Sequence, residues 1–163
     1  MYISSQDEVS RIVIPSRFPT VIYEDISLFY IGKDISEYNI KRGFLALVNS
    51  SDLLPCFCVY FDGTYYTIVF DDNKIRVISI NANNPFNHQQ SFRTPEGVYA
   101  GMKYGELKKI EPNISLVKMP GWGYRGVLSS GWKVAFHIGN TWTDRFPEED
   151  DIIGSVFKDW LSW

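Results

Sequence analysis

Apolar and polar positions alternate over short distances along this chain, and the pattern predicts strands more often than helices. Short runs rich in β-branched and aromatic residues fall at 11–14, 26–30, 44–48, 57–61, 65–70 and 75–80, a composition suited to a pleated, half-buried surface. Turn chemistry separates the later runs. Asp62-Gly63 lies between 57–61 and 65–70, and Asp71-Asp72-Asn73 lies between 65–70 and 75–80. Both read as antiparallel hairpin connections, because Gly, Asn and Asp tolerate the backbone that tight turns need. Three strands joined in this way make a meander. Further strands are predicted at 114–118, 126–128 and 132–138, and 152–157 reads as a strand or a short helix leading to Trp160 and Trp163.

Residues 81–94 are polar, turn-rich and without periodicity, the signature of a linker or long surface loop. They divide the chain into a first β-rich module at 1–80 and a second helix-plus-sheet module at 95–163, or form a loop within one continuous domain. The best helix signal follows. Met102, Leu107 and Ile110 stand near helical spacing, Lys108 and Lys109 lie toward the end, and Pro112 stops the run, as expected of a helix C-terminus. Tyr30-Ile31-Gly32-Lys33-Asp34-Ile35-Ser36-Glu37-Tyr38 also aligns with Tyr99-Ala100-Gly101-Met102-Lys103-Tyr104-Gly105-Glu106-Leu107 at an offset of 69, with Tyr, Gly and Glu identical. The expected fold class is therefore α+β: antiparallel meanders with one or two short helices, and, if the offset marks a repeat, two tandem helix-plus-sheet modules.

Gly101-Met102-Lys103-Tyr104-Gly105-Glu106-Leu107, opening a short helix before a meander, resembles the Gly-Met-x-x-x-Glu-Val/Leu signature of β-lactamase-inhibitor-protein-like modules. The resemblance covers about ten residues in the second half and nine, more loosely, in the first. It implies a non-enzymatic module that grips another protein with its sheet face or loops. The disulfide-forming cysteines of the secreted inhibitor and the lipobox cysteine of the related lipoproteins have no counterparts here, so the fold idea carries over and no individual functional residue does.

Composition narrows the classes. The chain has 163 residues, 45% hydrophobic and 21% charged, an ordinary folded balance, and no apolar run approaches the ~20 residues of a bilayer span. Net charge is −3, which gives no global attraction to nucleic acid. The charge is segregated: 93–133 carries a surplus of bases, whereas 134–163 is acidic. The first residues show neither a basic nor an apolar signal region, so the expected location is cytoplasmic, with export only if a signal peptide has been removed. Cys56 and Cys58, the two cysteines, are two apart. On a strand they share a face but make a poor disulfide, and one Cys-x-Cys pair does not supply four zinc ligands. Two buried free thiols are expected.

No catalytic constellation emerges. Gly121-Trp122-Gly123-Tyr124-Arg125-Gly126 is a formal G-x-G-x-x-G, but strand and turn residues follow it, where a dinucleotide site needs a helix. The chain left after Gly126 also lacks room for the downstream residues of a kinase. The acidic run 148–151 lacks the ligand spacing of a calcium loop and reads as a solvated turn. His88 and His137 have no accompanying acids at ligand spacing. The glycine-rich stretch is better read as a contact loop, since Trp, Tyr and Arg are the side chains enriched at interface hot spots. Trp122 and Tyr124 would be anchors and Arg125 a directional contact, with Trp132 as a further partner-binding candidate.

The sequence thus predicts a non-enzymatic protein-binding protein of inhibitor or immunity type. It would occlude a toxin or hydrolase in a stoichiometric complex, without cofactor, metal, nucleic acid or membrane span. The alternative is a small-molecule or glycan-binding module with a sheet face lined by tyrosines such as Tyr60, Tyr65 and Tyr66.

Overall fold

A computed structural model describes residues 20–40, 44–48, 52–137 and 145–161. The strand predicted at 11–14 lies outside them. Within them the strands are β1 (Val21–Ile22), β2 (Phe44–Val48), β3 (Asp52–Phe61), β4 (Thr64–Asp71), β5 (Lys74–Asn81), β6 (Leu116–Lys118), β7 (Tyr124–Val127), β8 (Lys133–His137) and β9 (Ile152–Asp159), with one α-helix, α1 (Tyr104–Ile110). All nine strands belong to a single sheet, in the order β1-β3-β4-β5-β9-β8-β7-β6, with β2 on the same edge of β3 as β1. Only the β1–β3 pair is parallel. No helix among the described residues is long and apolar enough to cross a membrane.

The predicted hairpins form where turn chemistry allows them. Asp62 and Gly63 take φ of +51° and +82°, and Asp72 and Asn73 take +52° and +60°, the two consecutive positive values of the turns whose twist matches paired strands. The run 152–157 resolves as strand and extends to Asp159. The strand expected at 26–30 is instead a three-residue 3-10 turn, Ile26–Leu28. The Asp25 carboxylate accepts the Ser27 N–H at 2.8 Å and caps that turn, an alternative to ladder bonding that Asp side chains offer.

The α+β class, with its pair of tandem helix-plus-sheet modules, is corrected by this topology: the molecule is largely β, with one seven-residue α-helix on one continuous sheet. The seam is the antiparallel pairing of β5 with β9, which joins strands on either side of the polar stretch 81–94. Over the first aligned segment only a 3-10 turn forms, Ser36–Tyr38, because Asn39 turns left-handed at φ +50°.

The 69-residue offset nevertheless marks matched local structure. Gly32 donates its N–H to Ile75 O at 2.8 Å, Ile75 to Lys33 O at 3.0 Å, and Ile35 to Asn73 O at 2.8 Å; Gly101, Ile153 and Tyr104 donate to Ile153, Met102 and Asp151 at 2.7, 2.8 and 2.7 Å. Both glycines have positive φ, +91° and +102°. β4–β5 and β8–β9 each shift register once, between Val69 and Phe70 and between Ala135 and Phe136. The seam pairs Ser79 with Phe157, and about that pair the two halves are related by an approximate two-fold.

One face of the sheet holds the main core. Phe57, Ile68, Ile80, Val134, Phe136, Ile153 and Val156 are buried there beneath Phe29, Ile35, Val98, Met102 and the α1 residues Tyr104 and Leu107. The opposite face carries Cys56 and Cys58, both buried free thiols as expected, and a buried ion pair, Lys133 Nζ to Asp159 Oδ1 at 2.6 Å. The acidic turn at 148–151 is more than a solvated run. Lys103 and Lys108 pair with Asp150 and Glu149 at 3.3 and 2.9 Å, fastening α1 to the turn before β9, and Arg145 pairs with Glu148 and Asp151 at 3.4 and 3.1 Å within that turn.

Candidate binding surface

Strand alternation sends neighbouring residues to opposite faces, and this divides the tyrosines of β3 and β4. Tyr66 is buried in the main core at 4% exposure. Tyr65 points to the other face, directly opposite Tyr60 in register, with ring centroids 4.6 Å apart. Tyr23, just past β1, meets Tyr60 edge-on at 6.0 Å, and Phe86 lies 5.2 Å from Tyr65. The result is a ladder, Tyr23–Tyr60–Tyr65–Phe86, crossing three strands and ending on a 3-10 turn. Tyr23 and Phe86 are the more exposed members, at 71% and 53%, while Tyr60 and Tyr65 are half-buried.

Backbone chemistry holds the ladder in place. The turn Pro85–Asn87 starts with proline at its first positions, and the Asn84 side chain accepts the Phe86 N–H at 2.9 Å. Buried Asn87 then fills the gap where the β4–β5 ladder stops. Its Oδ1 accepts Tyr65 N–H at 2.9 Å, and its Nδ2 donates to Tyr65 O at 3.0 Å and to Asn81 O at 3.3 Å. One carboxamide thus satisfies backbone groups at the end of the sheet and fixes Phe86 beside Tyr65. Burial, reinforced by the neighbouring Tyr23 and Tyr60, pushes the Tyr65 phenol above its ordinary value.

The four partner-binding candidates from the sequence do not converge on one patch. Trp122 is half-buried in the β6–β7 turn, whose glycines Gly121 and Gly123 have positive φ. Tyr124 packs edge-on against Phe146 at 4.9 Å, and Phe146 also meets Tyr104. Arg125 lies on the opposite face, its guanidinium 5.5 Å from the Phe157 ring. Burial pushes that guanidinium below its ordinary value, with Asp159 partly opposing, and its Nε is buried without a hydrogen-bond partner. Trp132 belongs to the core face, against Phe92 at 4.8 Å and beneath the Lys158 ammonium at 4.9 Å. β6 and β7 stand at the far end of the sheet from β3, so the glycine-rich loop and the aromatic ladder are separate features.

The Tyr60–Tyr65 contact is readable from sequence: a two-residue Asp62-Gly63 turn pairs 61 with 64 and hence 60 with 65. Tyr23 and Phe86 carry no such signal. The first arrives by a parallel pairing whose connection is long, the second by a side-chain clamp from Asn87. His88 is exposed in the loop after the 3-10 turn. Among the described residues no group of three or more His, Cys, Asp or Glu side chains is placed to hold a metal ion. In comparisons with protein-family models, curated proteins and solved structures, nothing matches this chain.

Proposed function

We propose that this chain is a non-enzymatic protein-binding protein, of inhibitor or immunity type, that recognises a basic target through the ladder Tyr23–Tyr60–Tyr65–Phe86. The observation that carries the reading is the ladder itself: four aromatic rings in successive contact, pre-positioned by Asn87, with Tyr23 and Phe86 largely exposed. Contiguous exposed aromatic surface of this kind is the usual material of protein interfaces. Tyrosine suits the role because it offers a large rigid face and a polar tip at little conformational cost. Glu24 and Asp25 follow Tyr23 directly, Asp62 follows β3, and the chain is net −3, which favours a cationic partner.

The test is capture from the native cell, followed by titration of the purified captured protein. A one-to-one complex that blocks the captured protein's activity is expected, weakening as salt rises. Phe86→Ala and Tyr65→Ala should each reduce affinity by about 2 kcal/mol or more, the size of a hot spot, with folding preserved. Trp122→Ala, at the far end of the sheet, should have a smaller effect. An unchanged affinity in the folded ladder variants would remove the ladder from this role, and equal loss in Trp122→Ala would return the glycine-rich loop to it.

A further inference from the structure

The opposite, core-bearing face contains a cleft of about 490 Å³ across the seam, lined by Tyr30, Tyr66, Ile78, Phe92, Trp132 and Lys158 among others. Tyr66 and Trp132 form its aromatic walls. They stand at matching positions on β4 and just before β8, on either side of the approximate two-fold, and Phe92 touches both, at 5.9 and 4.8 Å. Ile78 and Lys158 are direct cross-strand partners on the floor.

Lys158 is the one formally charged residue lining the cleft. Its neighbours along the same row of the sheet are Ile68, Ile78 and Trp132. Across the two-fold, the matching position on β5 is Ile80, fully buried. Packing alone therefore accepts an aliphatic residue at this kind of position. Among the described residues, no carboxylate lies within ion-pair distance of the Lys158 ammonium; its contact is the Trp132 ring at 4.9 Å. A cleft of this volume, mostly apolar with one charged group and the hydroxyls of Ser27, Tyr30 and Tyr66, has the makings of a small-molecule site.

We infer that this cleft binds a small aromatic monocarboxylate. Its ring would pack against the contiguous wall of Tyr66, Phe92 and Trp132, and its carboxylate would accept from Lys158. The size of the cleft suits one or two fused rings, and the walls favour flat ligands over branched ones. A carboxylate supplies the counter-charge that the protein leaves out, through a charge-assisted hydrogen bond. The site is independent of the ladder, because Tyr65 and Tyr66 face opposite ways on β4.

The probe is 2-naphthoate, with 2-naphthamide as its uncharged counterpart, titrated into the full chain and followed by tryptophan fluorescence and by the chemical shift of the Lys158 ε-methylene. Saturable one-to-one binding of naphthoate is expected, at least about tenfold tighter than that of the amide. Lys158→Met keeps the aliphatic stem and removes the charge; it should abolish the preference for naphthoate while leaving amide binding unchanged. Lys158→Gln gives a second folded variant with the same expected loss. Phe86→Ala, on the ladder, should leave naphthoate binding as it is. Equal binding of acid and amide, a preference retained in Lys158→Met, or no saturation up to millimolar naphthoate would overturn the assignment without touching the protein-binding reading.

Discussion

Lys133 and Asp159 are nearly sealed from solvent, with side chains 7% and 5% exposed, and their charges meet at 2.6 Å. The Lys133 ammonium also donates to Leu161 O at 2.8 Å, and the Asp159 carboxylate accepts Leu161 N–H at 3.3 Å, so the pair pins the chain just after β9. Losing one partner takes the opposite charge away from a group that is nearly sealed from solvent. Asp159→Ala should therefore cost about 3–5 kcal/mol in urea unfolding, whereas the joint change Lys133→Met with Asp159→Leu should recover most of the loss. The cysteines give a pH-dependent counterpart. Burial, with Cys58 adding to it, pushes the Cys56 thiol up to about 11 from an ordinary 9.0. Because the folded value is the higher one, the stability tied to the neutral thiol is intact below pH 9 and declines as pH climbs toward 11. Cys56→Ala should flatten that part of the stability–pH profile measured by denaturant midpoints. The buried state of both thiols is legible in Cys-Phe-Cys on a strand, since residues two apart share a face. The ion pair is not legible, because Lys133 and Asp159 are brought together only by the β8–β9 register.

At the scale of elements, the glycine of each aligned segment is where the chain turns to dock on the meander's last strand. Gly101 at φ +102° lies in a region where L side chains are strained, and Gly101→Ala should lower stability by about 1–2 kcal/mol in thermal or urea unfolding. Gly32→Ala, at +91°, should do the same. Asn87→Ala leaves Tyr65 and Asn81 backbone groups without their side-chain partner, a loss of about 1–3 kcal/mol, and frees Phe86 from its place in the ladder. Tyr-x-Gly and the later Glu are enough to find these two docking points, and the hairpins are legible from Asp62-Gly63 and Asp72-Asn73. Whether a helix follows is not. The apolar spacing of Met102, Leu107 and Ile110 has no equal after Gly32, and a single left-handed residue, Asn39, closes the first turn early. The apolar run at 26–30 looks like strand material until Asp25 caps it.

At the scale of the molecule, alternation along each strand shows which residues share a face but not which strand lies next door. The β5–β9 junction joins segments separated by the whole of 82–151, and that distance is why the sequence leaves tandem modules and one continuous domain both open. The same junction sets a liability. Ser79 sits opposite Phe157 at the centre of a pairing that reads alike in both directions, so its backbone bonds do not distinguish β9 from a second copy of β5. In such a homotypic pair Ile78 would face Ile80, a more apolar match than the native Ile78–Lys158 contact. Refolding at high protein concentration should therefore yield a dimer mispaired through β5 alongside the monomer, resolved by analytical ultracentrifugation. A disulfide engineered by Ser79→Cys with Phe157→Cys should suppress it. Internal likeness that lets one chain close on itself also lets two chains mistake each other for their own second half.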